Sequence, residues 1–420
     1  QKFVPISNYD DYQPFIDEIA KGKPSVLTNS RVTNLVPTSG TSGFNKFIPY
    51  TSETTTEFNY ALNVWMHSLY KEFPKLSKGK AFWLISPAGK KPHFVSVIPV
   101  GFKSDDSYFG KIGRLLISKV MVLPSEIQSI SDANSNLYLS CLYLLNCSDL
   151  NLISVWNPTY LGGLLKFIVT NKTMLVNSIR TGTVTYPIDD EGNGNHNFSI
   201  LKDEKRAKQI ESLIVVGNIE NTSWEKVWPN LQLISCWTDA WAAGAIPRLQ
   251  RLFKNTTIQG KGLLATEGVV SIPVMGYYLP AYFSHFIEFV DTENQQIKLL
   301  SELEIGKTYE IIITTGSGLY RYNLNDLVKV TSYYNKLPSL KFLGKSNNVS
   351  DLVGEKLSEI VVSTVLNKVK TENNLHCEVI FLSPCTVDNQ SFYTLYTDNK
   401  SISSKISKEI DKELNQVFYY

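Results

Sequence analysis

Thr38-Ser39-Gly40-Thr41-Ser42-Gly43-Phe44-Asn45-Lys46 lies between a predicted strand, Arg31–Val36, and a predicted long helix, Thr51–Phe73. Glycines let a backbone turn tightly and expose its N–H groups to an anion. Ser and Thr add hydroxyl donors, and Lys46 adds a mobile positive charge suited to phosphate. None of these residues packs a core. A surface turn fits the same composition, because Ser, Gly and Asn favour turns. The stretch is not a Walker A loop, which requires Gly-x-x-x-x-Gly-Lys-Ser/Thr. Its place between a strand and a helix favours the phosphate reading, since helix N-termini attract anions.

The surrounding pattern is α/β. Apolar positions Tyr12, Phe15, Ile16 and Ile19 predict a helix over Asn8–Lys21, stopped by Gly22. The Thr51–Phe73 helix starts at Thr51 or Ser52 and carries Phe58, Ala61, Leu62, Trp65 and Leu69 on one face. Ala81–Ser86, Leu152–Val155, Leu231–Cys236 and Thr257–Gly260 are predicted strands. Between them stand predicted helices Asn136–Asn146, Tyr160–Thr170, Asp203–Ser212 and Ala240–Phe253, the last with a weak point at Gly244. Strands alternating with helices indicate a sheet covered by helices. Tyr282–Val290, Thr308–Thr315 and Leu327–Val330 then predict a barrel-like or mixed-sheet subdomain, with a turn over Asn323–Asp326. Gly344–Asn348 has the composition of a hinge. A final module pairs strands Glu378–Leu382 and Phe392–Thr397 and ends on a helix over Ser404–Val417.

Composition narrows the function classes. The 420 residues include 41 basic and 39 acidic ones, a formal charge of +2, which gives no reason to expect a nucleic-acid partner. No run has the length of a membrane helix. The five cysteines are scattered with no zinc-site spacing, and we expect free thiols and a cytoplasmic setting. The 22 Tyr, 20 Phe and 7 Trp suit a large core with aromatic-lined pockets.

Four signals stand in chain order: the small-residue loop with Lys46, the turn Ala265-Thr266-Glu267, Asp326 after Tyr320-Arg321-Tyr322, and Gly354-Glu355-Lys356 after the hinge. Glu267 is a carboxylate among small and apolar residues, which is costly unless it is paired or metal-bound. Together they compose a nucleotide site, with a phosphate loop, a metal-ready carboxylate, a ribose-ready carboxylate and a late lysine. Singly each has a plainer reading: a locally paired glutamate, a backbone-capping aspartate, a surface lysine.

Trp228-Pro229-Asn230-Leu231, Gln259-Gly260-Lys261-Gly262, Leu264-Ala265-Thr266-Glu267-Gly268, Gly318-Leu319-Tyr320-Arg321-Tyr322, Phe342-Leu343-Gly344-Lys345 and Gly354-Glu355-Lys356-Leu357-Ser358-Glu359 resemble the GH3 family of acyl-acid amido synthetases. That family is a branch of the adenylate-forming superfamily, with acyl-CoA synthetases and luciferase. The resemblance covers essentially the whole chain. It implies a large adenylation domain over 1–343 and a small mobile C-terminal α+β domain over 344–420. It also implies that further helices precede Lys2–Leu27 in relatives and that the end is short by a strand and a helix.

The implied reaction has two steps. A carboxylic acid attacks the α-phosphate of ATP, giving an acyl-adenylate and pyrophosphate; an amine, usually of an amino acid, then takes the acyl group and releases AMP. In that frame Ser39, Gly40, Thr41, Ser42 and Gly43 hold phosphates and Lys46 neutralises them. Glu267 binds Mg²⁺, Thr266 touches the α-phosphate region, Gly262 to Ala265 line the adenine slot and Asp326 binds the ribose. Lys356 delivers a charge when the terminal domain closes. Lys345 stands where the superfamily hinge carries arginine, and loses the bidentate fork. Asn325 replaces the glycine of the family's Tyr-Arg-x-Gly-Asp turn but tolerates left-handed backbone. An acyl-CoA synthetase shares the first half-reaction, and a non-catalytic binding protein on the same scaffold is the contrasting class. Phe94–Tyr108 and Trp237–Trp241 are candidate walls of an acid pocket; neither acid, acceptor nor oligomeric state follows from the residues.

Overall fold

The structure is a computed structural model that describes residues 4–38, 46–84, 96–101, 120–124, 126–127, 130, 132–184, 198–350, 357–377, 379–387, 390–399 and 402–417. Helix α1, Tyr9–Ala20, buries Tyr12, Ile16 and Ile19 of the predicted apolar face but leaves Phe15 exposed, at the edge of that stripe. Gly22 follows it at φ +87° and ends the helical run.

The first departure is at the opening loop. Strand β1, Asn34–Pro37, is followed by a second strand, β2, Phe47–Tyr50, before helix α2, Ser52–Glu72, begins. β1 and β2 pair antiparallel, and Thr38 N–H donates to Lys46 O at 2.8 Å. The element that follows the small-residue stretch is therefore a strand paired back on β1, not the N-terminus of α2. The short run Phe47–Tyr50 is fully buried, so it pairs as a strand even though only four residues are available. The Thr51 hydroxyl caps α2, accepting from Thr54 N–H at 3.2 Å.

Strands β3 (Lys80–Trp83), β4 (Leu150–Ser154), β5 (Leu233–Cys236) and β6 (Thr257–Gly260) form a four-stranded parallel sheet in that order. Helices Ala133–Asn146, Pro158–Thr170, Lys172–Thr181 and Glu204–Leu213 cover it, three of them capped by Asp132, Asn157 and Asp203 side chains. Lys172–Thr181 is a helix that pattern reading passed over. The predicted helix Ala240–Phe253 is a 3₁₀ segment, Ala240–Ala245, and a short α-helix, Ile246–Leu252. The break falls beside Gly244, where a Cβ would stand 2.9 Å from Asn367 Oδ1.

Strands β7 (Ser271–Val274) and β8 (Tyr277–Pro280) make a hairpin. β9 (Phe286–Asp291), β10 (Ile297–Lys298), β11 (Thr308–Thr314), β12 (Tyr322–Tyr334) and β13 (Leu337–Lys345) build an antiparallel sheet in the order β10-β9-β11-β12-β13. The predicted strand Tyr282–Val290 thus starts later, since Ser284 N–H and His285 N–H bond back to Ala281 O. The α1 helix, the β1–β2 hairpin and this sheet share one core that includes Ile16, Val36, Ile48, Phe289, Tyr309 and Val328.

Asn323–Asp326 is not a turn between strands. It lies within β12 as a bulge: Ile312 pairs with Asn323 and Glu310 with Leu327, so β12 carries extra residues there. Asn325 takes φ +55° in that bulge, a conformation asparagine adopts more readily than most residues. The expected linker is also shorter. Gly344 and Lys345 belong to β13, with Lys345 opposite Asp326 in register, and the connection begins at Ser346.

Beyond it, β14 (Val349–Ser350) and β15 (Leu357–Ser358) pair, and β16 (Ile380–Val387) pairs antiparallel with β17 (Gln390–Thr397). Helices Glu359–Glu372 and Ser404–Val417 complete a module with its own core, including Leu366, Val369, Ile406 and Ile410.

Candidate active site

Leu264 and Val269 form an antiparallel bridge. Ala265 N–H donates to Gly268 O at 3.0 Å and Gly268 N–H to Ala265 O at 3.3 Å, so Thr266 and Glu267 occupy the two tip positions of a tight turn. The Tyr50 hydroxyl, one residue before the cap of α2, donates to Thr266 O at 2.7 Å and ties the turn to the β1–β2 hairpin.

The turn presents Glu267 to charged groups from separate parts of the chain. Burial raises its carboxyl above the ordinary carboxylate range; Lys345 and Lys46 pull it down, while Asp326 pushes it further up. Lys46 lies over the Tyr9 ring, its ammonium 5.3 Å from the centroid. Tyr9 in turn accepts from Phe47 N–H at 2.8 Å, so α1 holds the base of the hairpin. Asp326 is 2% exposed, and Lys345 Nζ donates to its Oδ1 at 2.6 Å and to Leu324 O at 3.1 Å. Burial raises Asp326 as well, against the pull of Lys345 and with the Glu310 charge adding to the rise.

Lys46, Ala265, Thr266, Glu267, Asp326 and Lys345 are therefore gathered from the residue before β2, the turn, β12 and β13. Ser39, Gly40, Thr41, Ser42, Gly43 and Lys356 lie outside the described residues. The Asp326–Lys345 pair is a refinement that spacing alone did not reveal. It arises because the bulge at Asn325 and the end of β13 put those residues opposite one another. Ser346 N–H closes the same corner by donating to Asn325 O at 2.8 Å.

Among the described residues no group of three or more His, Cys, Asp or Glu side chains could hold a metal. That donor set still fits Mg²⁺, which is commonly bound by one or two carboxylates plus substrate phosphates and water. Glu267, with burial pushing its carboxyl up, is the side chain that a cation would relieve.

Pattern reading gave Lys261 no role of its own. It is 4% exposed just past the C-terminal end of β6. Its ammonium lies 5.1, 5.5 and 5.4 Å from the ring centroids of Trp65, Trp83 and Trp156. It donates to Ser154 Oγ at 2.7 Å and Ser235 Oγ at 3.2 Å. Burial pulls its pKa down to about 7, while the indole faces favour the cation. Beside this cage Trp237 packs on Trp156 at 5.6 Å and Trp241 meets Trp237 at 6.2 Å, with Trp241 46% exposed. Of the other expected pocket wall, 96–101 alone is described.

The profile of the GH3 family N-terminal domain matches residues 1–258, and that of the GH3 family central domain matches 278–345. The chain belongs to the GH3 family. It is 27% identical over 441 residues to the indole-3-acetic acid-amido synthetase GH3.17 of Arabidopsis thaliana, covering 95% of this chain and 70% of that protein. To the indole-3-acetic acid-amido synthetase GH3.3 of the same plant it is 28% identical over 381 residues, with 85% and 63% covered. This GH3 chain therefore spans well short of its curated relatives' full length. A solved structure of the acyl acid amido synthetase AtGH3.15 in complex with 2,4-DB shares the fold, with a TM-score of 0.83 at 21% identity, covering 100% of this chain and 76% of that one.

Proposed function

We propose that this GH3 protein is an ATP-dependent ligase that adenylates a carboxylic acid and passes the acyl group to an amine, releasing pyrophosphate and AMP. The observation that carries the reading is the convergence of Lys46, Glu267, Asp326 and Lys345 around one turn in a chain of this family. Adenylation builds negative charge at phosphorus, and preorganised cations and donors are worth most there. Lys46 neutralises triphosphate charge, and the hydroxyl and backbone donors of Ser39–Gly43 are of the kind that binds phosphate. The backbone around Thr266 faces the α-phosphate. Asp326 accepts from ribose hydroxyls while Lys345 holds its carboxylate in place. Glu267 would hold Mg²⁺, which would supply Lewis-acid polarisation of the phosphoryl oxygens.

The curated relatives are named as indole-3-acetic acid-amido synthetases, and the acceptor we favour here is likewise an amino acid. The adenylating body runs through Lys345, the last residue of β13, and the chain from Ser346 on is the smaller domain, in which Lys356 is our candidate for the second charge on closure. The setting we infer is cytoplasmic, in keeping with thiols that are free at Cys141, Cys147, Cys236, Cys377 and Cys385. The described helices include none long and apolar enough to cross a membrane.

The test is a screen of acids for acid- and Mg²⁺-dependent exchange of pyrophosphate into ATP, followed by a screen of amino acids and CoA with products read by mass. Exchange followed by an amide product supports the reading. Exchange followed only by a thioester makes the protein an acyl-CoA synthetase, and no exchange with any acid rejects adenylation.

A further inference from the structure

The turn that carries Glu267 is held on one flank by Tyr50. On the other flank lies a buried histidine that the nucleotide reading does not use. His285 is 4% exposed. Gly268 has no side chain, and the imidazole fills the space one would occupy: a Cβ there would stand 2.9 Å from His285 Nε2 and 3.2 Å from its Cδ2, with Ile313 Cδ1 at 2.7 Å. The imidazole thus packs directly against the backbone that follows Glu267.

The ring is oriented from behind. His285 Nδ1 lies 3.2 Å from Glu57 Oε2. Both Glu57 oxygens accept from Gly316 N–H, at 2.9 and 3.0 Å, which fixes the carboxylate between α2 and the loop joining β11 to β12. Phe58, the next residue of α2, meets the His285 ring edge-on at 6.0 Å and the Tyr50 ring at 5.8 Å. One helical turn therefore braces both flanks of the Thr266–Glu267 turn.

Neither ring nitrogen of His285 makes a well-aligned hydrogen bond. Leaving a buried polar group in that state costs about 1–3 kcal/mol, which an apolar residue of similar size would avoid. An imidazole kept there against that cost, beside a carboxylate and under a glycine, has a positional use.

We propose that His285, oriented by Glu57, is a positioning residue that sets the Thr266–Glu267 turn for the adenylation step. This rests on the adenylating reading for its chemistry, but the geometry of the turn can be measured without it. The brace acts on the backbone at Gly268, and through that backbone on where the Glu267 carboxylate points. Reaction geometry is sensitive to such shifts, since a displacement of about 1 Å can cost on the order of 10²-fold in rate.

The experiment compares the wild-type chain with His285→Phe, His285→Gln and Glu57→Gln. Backbone amide hydrogen–deuterium exchange over residues 263–272 is measured together with Tm, and the Mg²⁺ half-saturation of acid-dependent pyrophosphate exchange is measured alongside. We expect His285→Phe to speed amide exchange in 263–272 by about 10-fold, equivalent to about 1.4 kcal/mol of local protection. We expect the Mg²⁺ half-saturation to rise several-fold, Tm to change little, and His285→Gln to recover part of both. A folded His285→Phe with unchanged amide exchange and unchanged Mg²⁺ half-saturation overturns the proposal. Should His285→Phe fail to fold, the same two readouts on His285→Gln and Glu57→Gln decide it. A wild type without acid-dependent exchange rejects adenylation instead, and the amide exchange then decides the positioning role alone.

Discussion

Two lysines of this protein sit at the edges of its two main sheets, and their surroundings differ in kind. Lys261, at the end of the parallel sheet, meets three indole faces and two serine hydroxyls. Its partners are neutral, they come from α2, β3, β4, the residues just after β4, and β5, and they enclose it. Lys345, at the end of β13 in the antiparallel sheet, is 41% exposed at its side chain and pairs with a buried carboxylate. Around it stand Glu267 and Lys46, on a turn and a hairpin rather than in a packed layer. A charge met on all sides by its own fold is a structural element. Charges of both signs gathered at a partly open edge, with two carboxyls pushed up by burial, leave room for a ligand to complete them.

The sharpest way to break that contrast is at Glu267. We expect Glu267→Ala to lower acid-dependent pyrophosphate exchange by about 10²–10³-fold with little change in Tm, the scale on which removal of a transition-state charge partner acts. An unchanged rate would remove Glu267 from the site. Asp326→Asn comes next. Loss of a charged hydrogen-bond acceptor is worth about 1.5–3 kcal/mol, so KM for ATP should rise by about 10- to 100-fold in steady-state kinetics.

Gly262→Ala tests the frame between the two regions. Gly262 has φ +74°, and a Cβ would lie 2.4 Å from Ser271 O. Backbone strain alone predicts a loss of about 1–3 kcal/mol in a denaturant titration. By contrast Lys261→Met should shift stability by less than about 1.5 kcal/mol, as a near-isosteric replacement of a buried charge. It should also leave exchange activity intact; loss of activity with an unchanged Tm would move Lys261 from scaffold to site.

The pH dependence tests the same lysine from another side. Lys261 is lowered to about 7 in the fold from 10.5, so between those values the unfolded chain binds the extra proton. Stability then rises with pH across that window, because the folded lysine is already neutral there and the proton that the unfolded lysine must give up on folding is lost more cheaply as pH rises. Tm measured from pH 7 to 9 should rise more in the wild type than in Lys261→Met, and parallel slopes would show that the indole cage keeps the cation.

Local chemistry was legible in the residues wherever the signal was local. Thr51 caps α2 as its pattern predicts, and the final helix runs over Ser404–Val417, whereas the helix expected from Asn136 starts at Ala133 under an Asp132 cap. Thr266, Glu267, Asp326 and Lys46 were legible as chemistry-bearing types in small-residue or turn settings. The interval before α2 was not, because a buried four-residue strand and the end of a loop look alike when periodicity has so few residues to act on. The Asn323–Asp326 bulge passed for a turn for the same reason: Asn serves both. His285 and Lys261 carry no local mark at all, since one is defined by a glycine 17 positions earlier and the other by tryptophans on other elements.

Sequence by itself determined the alternation of strands and helices, the Thr51 cap, the small-residue composition of Thr38–Lys46 and the carboxylate in a small-residue turn. These depend on neighbours within a few positions, where backbone preference and side-chain period act. Tertiary structure alone decided that Lys345 faces Asp326, that Lys46 and Glu267 share one field, and that Lys261 ends in an indole cage. Each of those follows from the register of paired strands and the packing of sheets. A one-residue slip in either would turn the same side chains to the opposite face and leave the site unmade.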